Sequence, residues 1–330
     1  MSDSAALKIL ATAPLRGPGL DTLRTLGEVV EEPWITGPTS PMRLLGPDDL
    51  AARITEVGAD VVVTEADSCK GPVLDLPLVA ICSTRGDPTN VDVDGATAKG
   101  IPVLRAPGRN ADGVAELAVA LLLACTRGLV RADADVRAGE VFRDGTIPYQ
   151  RFRAWQVAGR TVGVVGFGAV GRAAAWRFAG LGMHVRSYDP FAPDATDDDL
   201  DRLLPDCDVV SMHAAVTPDT VGLMDASRFD RMPAGAVYVN TARAALHVLD
   251  DLTVALASGH LTAAGLDHFE GEQLPAGHPL LAMDNVVLAP HIGGATYDTE
   301  ANHTSLIADG LAALLRGEAP SNLVNPEVLK

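Results

Sequence analysis

Short apolar runs recur along the chain, and between them lie segments whose apolar residues return every three or four positions. The first series of runs is "LKILATA" (7–13), "ADVVVTEA" (59–66), "PLVAICS" (77–83) and "GIPVLRA" (100–106). Segments such as "GLDTLRTLGEV" and "PDDLAARITEVG" supply the helical periodicity between them. A second series follows: "TVGVVG", "HVRSYD", "CDVVSMHA", "GAVYVNTA", "AAGLDHF" and "NVVLAPH". Strands that alternate with helices assemble into parallel sheets, so the pattern predicts an α/β chain with two doubly wound parallel-sheet domains. Between the two series, residues 110–139 carry Ala, Leu and Glu in helical proportions and few β-branched residues. They predict one long helix, or two abutting ones, at a domain boundary. No internal repeat or low-complexity tract interrupts the alternation.

One of these strand-to-helix junctions has chemistry attached. In "VVGFGAVGRAAAWRFAGLGMHVRSYDP" (164–190) a strand runs into Gly166, Gly168, Ala169, Val170 and Gly171, a helix and a second strand follow, and Asp189 lies 21 residues after Gly168. Three glycines at that spacing are a weak signal alone, but strand, helix, strand and acidic residue together meet the full context of a dinucleotide-binding turn. Gly166 allows the tight turn, Gly168 lets the backbone approach a pyrophosphate, Gly171 allows close helix packing, and the helix N-terminus offers free N–H groups to the phosphates. Asp189 is placed to accept hydrogen bonds from the adenosine ribose and to repel a 2′-phosphate, which favours NAD over NADP.

Composition narrows the partners. The 330 residues are 47% hydrophobic and 21% charged, an ordinary globular balance, and the net charge of −17 argues against a nucleic-acid backbone or an anionic membrane surface. The N-terminus lacks the apolar core and basic flank of a secretory signal, so a cytoplasmic location is expected. Cys69, Cys82, Cys125 and Cys207 are scattered, without zinc spacing, and read as free thiols; no metal site is expected. What remains is a small anionic molecule held by a local concentration of arginine.

Candidate chemistry stands at the ends of the later strands. Arg243 in "VNTARAAL" can fork onto a carboxylate through two parallel hydrogen bonds. Asp267 and Glu272 follow the next strand in "AAGLDHFEGEQLP", and His291 the one after in "NVVLAPHIGGAT". Oxidation of a secondary alcohol by hydride loss needs a base for the hydroxyl proton, a cation for the substrate carboxylate, and a partner that tunes the base. His291, Arg243 and Glu272 supply one of each. His213 reads as a buried structural histidine, and His247, His268 and His278 as weaker candidates still.

From "GRNADGVAE" through "GFGAVG", "SYDP", "HAAVTPDT", "VNTARAAL", "AGLDHFEGE" and "APHIGGAT" to "NLVNP", the chain resembles the D-isomer-specific 2-hydroxyacid dehydrogenases, a family that includes D-3-phosphoglycerate dehydrogenase and glyoxylate and hydroxypyruvate reductases. The resemblance implies a Rossmann coenzyme domain (105–295) inserted into a discontinuous, flavodoxin-like substrate domain (1–104 with 296–330), with the active site in the cleft between them. It implies NAD as cofactor and a homodimer formed through the coenzyme domains. By motif position Arg243, Glu272 and His291 are the catalytic residues. Asp267, with Thr241 and Ala242, belongs to the cofactor side, and Asn110 lines the substrate and cofactor cleft. Glu272 speaks against a formate dehydrogenase, a branch that resembles a Gln–His pairing. The chain stops after "SNLVNPEVLK", so no C-terminal effector-binding domain is expected.

Several positions depart from the family pattern. Ala244 stands where A-R-G is usual, at a cost of roughly 1 kcal/mol if that position needs positive φ. His268 replaces a small apolar residue, and Gln273 and Ala215 replace prolines. In "CSTRGDPTNVDVDGAT" a glycine-rich, substrate-facing loop is replaced by one holding Arg85, Gly86, Asp87 and Pro88. Arg85 either binds a second anionic group of the substrate or pairs with Asp87 within the loop. The first alternative points to a phosphorylated or phosphonylated D-2-hydroxy acid such as 3-phosphoglycerate. Glyoxylate or hydroxypyruvate reduction, a phosphite-type oxyanion dehydrogenase and, in a different class, an NAD(H)-sensing corepressor are the other readings.

Overall fold

The structure, a computed structural model, describes residues 7–329. Contacts divide the chain into two compact units, one reaching to Arg109 and resuming at Thr296, the other Asn110–Ala295. The sequence reading drew the first boundary at 104; the division falls after Arg109, whose side chain is bonded to Glu65 and His303 of the first unit.

The first unit holds strands β1 (Leu7–Ala11), β2 (Gly27–Glu31), β3 (Val61–Thr64), β4 (Ala80–Ser83) and β5 (Val103–Leu104), with helices α1 (Pro18–Leu26), α2 (Pro47–Val57) and α3 (Val93–Ala98) between them. All pairings are parallel, in the order β2-β1-β3-β4-β5, which is the flavodoxin-like winding. β3 and β4 are buried along their whole length, as a parallel sheet covered on both faces requires. Neighbouring residues of β1 face opposite cores: Leu10 packs with Ile54, Val62 and Ile81, and Ile9 with Leu23, Val61 and Ile307 of the C-terminal helix Tyr297–Leu315.

β2 corrects the sequence reading, which ran a helix through "GLDTLRTLGEV". The helix stops at Leu26, because Gly27 lies so close to β1 that an added Cβ would strike the Leu7 backbone, and Val29 and Val30 then extend as a strand. Tertiary pairing overrides the helical periodicity there.

The second unit opens with α4 (Ala111–Arg127) and α5 (Leu129–Ala138), two abutting helices rather than one. Gly128 separates them in the left-handed region at φ 57°, its N–H capping α4. A short helix α6 (Pro148–Arg151) precedes β6 (Thr161–Val165), α7 (Ala169–Gly180), β7 (His184–Tyr188), α8 (Leu200–Leu203), β8 (Val209–Met212), α9 (Ala226–Arg231), β9 (Ala236–Asn240), α10 (Leu249–Ala257), β10 (Leu261–Leu266) and β11 (Val286–Leu288). The six strands are parallel in the order β11-β10-β9-β8-β6-β7. Order reverses between β6 and β8, so the crevice that receives ligands in such sheets opens beyond the carboxyl ends of these two strands. Val162, Val164, Val209 and Val239 pack under α4 and α7, while Val210, Met212, Tyr238 and Leu266 form the core of the other face. No single helix among the described residues is long and apolar enough to cross a membrane.

Candidate active site

The glycine turn sits at that crevice. Gly166 leaves β6 at φ +91°, and a Cβ there would lie 2.5 Å from Ala214 Cα, just past β8. Gly171, in the first turn of α7, packs so tightly that a Cβ would land on the Gly166 carbonyl oxygen. Gly168 is the N-cap of α7 and differs in kind: nothing lies within 4 Å of its Cβ position. Two glycines therefore serve the protein's own packing and the third keeps a concavity open. The N–H groups of Ala169, Val170 and Gly171, at the start of α7, have no intrahelical partner and are available to an anion.

Asp189 follows β7 as expected, and its carboxylate is already engaged: Oδ2 accepts from the N–H of Phe167 at 2.8 Å and Oδ1 from Phe191 at 2.9 Å. It thus pins the glycine turn, and each oxygen keeps a further lone pair for a ribose hydroxyl. Thr241, buried beyond the end of β9, has a hydroxyl with no partner among the described residues, and the same is true of the buried Nδ1 of His213. An open cradle at Gly168 and orphaned polar atoms at the strand ends fit a dinucleotide.

Arg243 stands on a turn built by Asn240. The Asn240 amide donates to the Arg243 carbonyl at 2.8 Å and to Nδ1 of His247 at 2.9 Å, while its oxygen accepts from the Ala242 N–H at 2.9 Å. The exposed guanidinium donates to the Ala242 carbonyl and has no carboxylate within 4 Å among the described residues. Ala244 opens a short right-handed turn (Ala244–Leu246) and is not among the residues with positive φ, so the conditional backbone penalty at that position does not arise.

Among the described residues, the non-glycine ones in the left-handed region are Asp144, Glu272 (φ 62°) and His291 (φ 56°). Two of the three thus form one pair: Nδ1 of His291 and Oε1 of Glu272 are 2.9 Å apart. Strained backbone of this kind persists only where its surroundings hold it. Here the holding group is Asp267, buried behind β10, whose two oxygens accept the N–H groups of Ile292 (2.8 Å) and Gly293 (2.9 Å) immediately after His291. Asn110, the N-cap residue of α4, lies against Gly294 in the same loop.

Sequence reasoning undervalued His268. Its buried ring packs on that of His291, centroids 3.8 Å apart and planes tilted by 52°. Burial, with the His291 ring and the Arg243 cation nearby, pushes its pKa down to about 3. The ligand atoms of His268, Glu272 and His291 lie within 4.8 Å of one another, and Glu272 Oε1 and His291 Nδ1 are engaged with each other at 2.9 Å. His213, half-buried and hydrogen-bonded through Nε2 to Ser211, and the buried His247 are both held down to about 4 by desolvation. His278 caps the turn at Leu280.

Arg85 and Gly86 belong to the first unit, just beyond β4. The pairing of Arg85 with Asp87 does not form: among the described residues the Arg85 guanidinium has no carboxylate partner. The Arg85 carbonyl accepts from the Ala106 N–H at 2.8 Å, and the equally unpaired Arg105 reaches the Gly86 carbonyl. Arg105 is thus a second cation beside the same loop, beyond the neighbouring strand β5, which the sequence reading overlooked.

A glycine turn at a topological switch point, with a hydrogen-bonded histidine–glutamate pair and an arginine without a carboxylate partner at later strand ends, defines a Rossmann-type coenzyme domain. The family model described as "D-isomer specific 2-hydroxyacid dehydrogenase, NAD binding domain" matches residues 119–293. A glyoxylate reductase of Thermofilum pendens is 36% identical over 98% of this chain and 96% of its own length. A D-3-phosphoglycerate dehydrogenase of Mycobacterium leprae is 36% identical over 92% of this chain but only 56% of its own. Among solved structures, the TT0316 protein of Thermus thermophilus superposes with a TM-score of 0.80 at 34% identity, covering 96% of this chain and 100% of that one. The chain belongs to the D-isomer specific 2-hydroxyacid dehydrogenase family. It is an NAD-dependent oxidoreductase.

Proposed function

We propose that this enzyme reduces a 2-keto acid to the D-2-hydroxy acid, and reverses that reaction, through His291, Glu272 and Arg243. The observation that carries the reading is the His291–Glu272 hydrogen bond at 2.9 Å between two residues in the left-handed region, beyond the strands that follow Arg243. Bound NAD supplies the hydride acceptor, and its reduced form the donor. Arg243 holds the substrate carboxylate by a bidentate fork and polarises the C2 oxygen. Protonated His291 gives its proton to that oxygen during reduction and takes it back during oxidation. Glu272 fixes the tautomer by accepting from Nδ1 and balances the charge of the imidazolium, leaving Nε2 to face the substrate. The N-terminus of α7 and the turn at Gly168 receive the pyrophosphate, Asp189 the adenosine ribose, and Thr241, Ala242 and Asp267 the nicotinamide side, with Asn110 lining the substrate space.

The substrate reading rests on Arg85. A guanidinium left without a carboxylate, with Arg105 at the same loop, favours a substrate bearing a second anionic group, a phosphate or phosphonate such as that of 3-phosphoglycerate. The similarity to glyoxylate reductases favours a second reading, in which glyoxylate or hydroxypyruvate is the substrate and Arg85 a solvated loop residue. NADH oxidation against 3-phosphohydroxypyruvate, phosphonopyruvate, hydroxypyruvate, glyoxylate and pyruvate separates the two. A charge-assisted hydrogen bond contributes about 1.5–3 kcal/mol, so Arg85→Ala is expected to raise KM for the dianionic substrates about 10- to 150-fold and to leave that for glyoxylate nearly unchanged. Equal effects on both classes sink the dianion reading and leave the glyoxylate one.

Assembly follows from the same family reading. Leu129, Val130 and Val136 on α5, with Phe142, Tyr149 and Trp155 beyond it, are exposed apolar side chains in one stretch of the coenzyme domain. Such a run calls for cover, and a second copy of the chain provides it in a homodimer. Sedimentation equilibrium is expected to return twice the chain mass; a monomer at micromolar concentration rejects this assembly.

A further inference from the structure

We propose that His268 is a positioning residue, a planar brace that holds the ring of His291 in the orientation from which it exchanges its proton. The proposal deepens the reading of His291 as the acid/base and rests on it.

The geometry sets the problem that His268 solves. One hydrogen bond, from Nδ1 to Glu272, fixes one atom of the His291 ring but not its tilt, since rotation about the bond to an aromatic ring is soft. Glu272 offers little firmness of its own: its side chain is 61% exposed and it ends the turn Glu270–Glu272, in which Gly271 is also left-handed. The Asp267 bonds to Ile292 and Gly293 secure the backbone after His291, not the ring. The ring that packs on His291 is that of His268, 3.8 Å away between centroids and tilted by 52°.

His268 is suited to this by its own anchorage. It follows Asp267 directly at the end of β10, is 5% exposed, and lies near the Thr241 carbonyl, so the brace and the loop anchor share one rigid strand end. Its neighbours also settle its charge. Burial, then His291 and the Arg243 cation, oppose a second positive charge, against the Thr241 carbonyl and the nearby Glu272 carboxylate. A neutral ring can stay in contact with the imidazolium that forms on His291 during the reaction, whereas a charged one would repel it. Burial thus keeps His268 in its neutral form, and it does not compete for the proton.

The test compares His268→Val, His268→Phe and His291→Ala with the parent enzyme, using the keto acid turned over fastest in the panel above. Misorientation of a catalytic group costs up to about 100-fold. His268→Val is expected to lower kcat about 10- to 100-fold, with KM for the keto acid and the NADH dissociation constant unchanged, and His268→Phe, which restores a planar ring, to recover most of the loss. Unchanged NADH binding shows in each case that the coenzyme domain has folded. If His268→Val keeps the parent kcat while His291→Ala is inactive, the brace is wrong and the acid/base assignment stands. Equal impairment of the Val and Phe variants also overturns the proposal, because a planar ring would then be of no use. An active His291→Ala enzyme overturns the acid/base assignment and the brace with it.

Discussion

His291→Ala is expected to lower kcat by about 10²- to 10⁴-fold, the usual contribution of a positioned acid/base. NADH affinity should stay nearly intact, because the residues assigned to the pyrophosphate and ribose lie in the turn after β6 and behind β7. Steady-state rates with the fastest keto acid, together with NADH fluorescence titration, measure the two effects separately. Loss of both together would mean that the loop after β11 has collapsed. Asp267 argues against that outcome, because it holds the backbone N–H groups of Ile292 and Gly293 and not the His291 side chain. Unchanged turnover would remove His291 from the mechanism altogether. Glu272→Gln gives the graded counterpart: it keeps an acceptor for Nδ1 but removes the negative charge that balances the imidazolium, so its loss should be the smaller one.

The second large effect separates three glycines that look equivalent in the sequence. In Gly171→Ala the new Cβ meets the Gly166 carbonyl, a backbone atom that can move only by displacing the turn and β6 with it. Overpacking of this kind costs about 1–3 kcal/mol, and the same displacement spoils the pyrophosphate cradle, so both the melting temperature and NADH binding should fall. In Gly168→Ala the Cβ enters empty space in the protein, at the place assigned to the pyrophosphate. That variant should keep the parent melting temperature and bind NADH about tenfold or more weakly, a loss of about 1.4 kcal/mol. Thermal melting and NADH titration of both variants read this directly. Parent-like NADH affinity in Gly168→Ala would remove Gly168 from the phosphate site.

Much of this was legible from local pattern. The alternation of apolar runs and amphipathic segments yields two parallel sheets because a parallel strand buried on both faces must be apolar throughout and must be followed by a crossover. The glycine turn was legible because its requirements are local: a strand, a helix N-terminus and an acidic residue at a fixed separation. Arg243, Glu272 and His291 stood out because polar residues that end apolar strands fall at the same edge of a sheet. The helical segment drawn over residues 19–29 failed beyond Leu26 because periodicity over a few residues cannot register that Gly27 lies against the backbone of Leu7.

The sequence by itself determined the fold class, the coenzyme and the placement of the glycine turn, Arg243, Glu272 and His291 at strand ends, since each follows from patterns within a few tens of residues. Only the tertiary structure decided what depends on distance between remote positions. It removed Asp87 as the partner of Arg85 and brought Arg105 to the same loop. It gave Asp189 and Asp267 a second duty as acceptors for backbone N–H groups of the loops they serve. It also laid the ring of His268, 23 residues before His291 in the chain, against that of His291. Charge and periodicity are properties of a segment, whereas hydrogen bonds and ring contacts between segments exist only once the strands that carry them have paired.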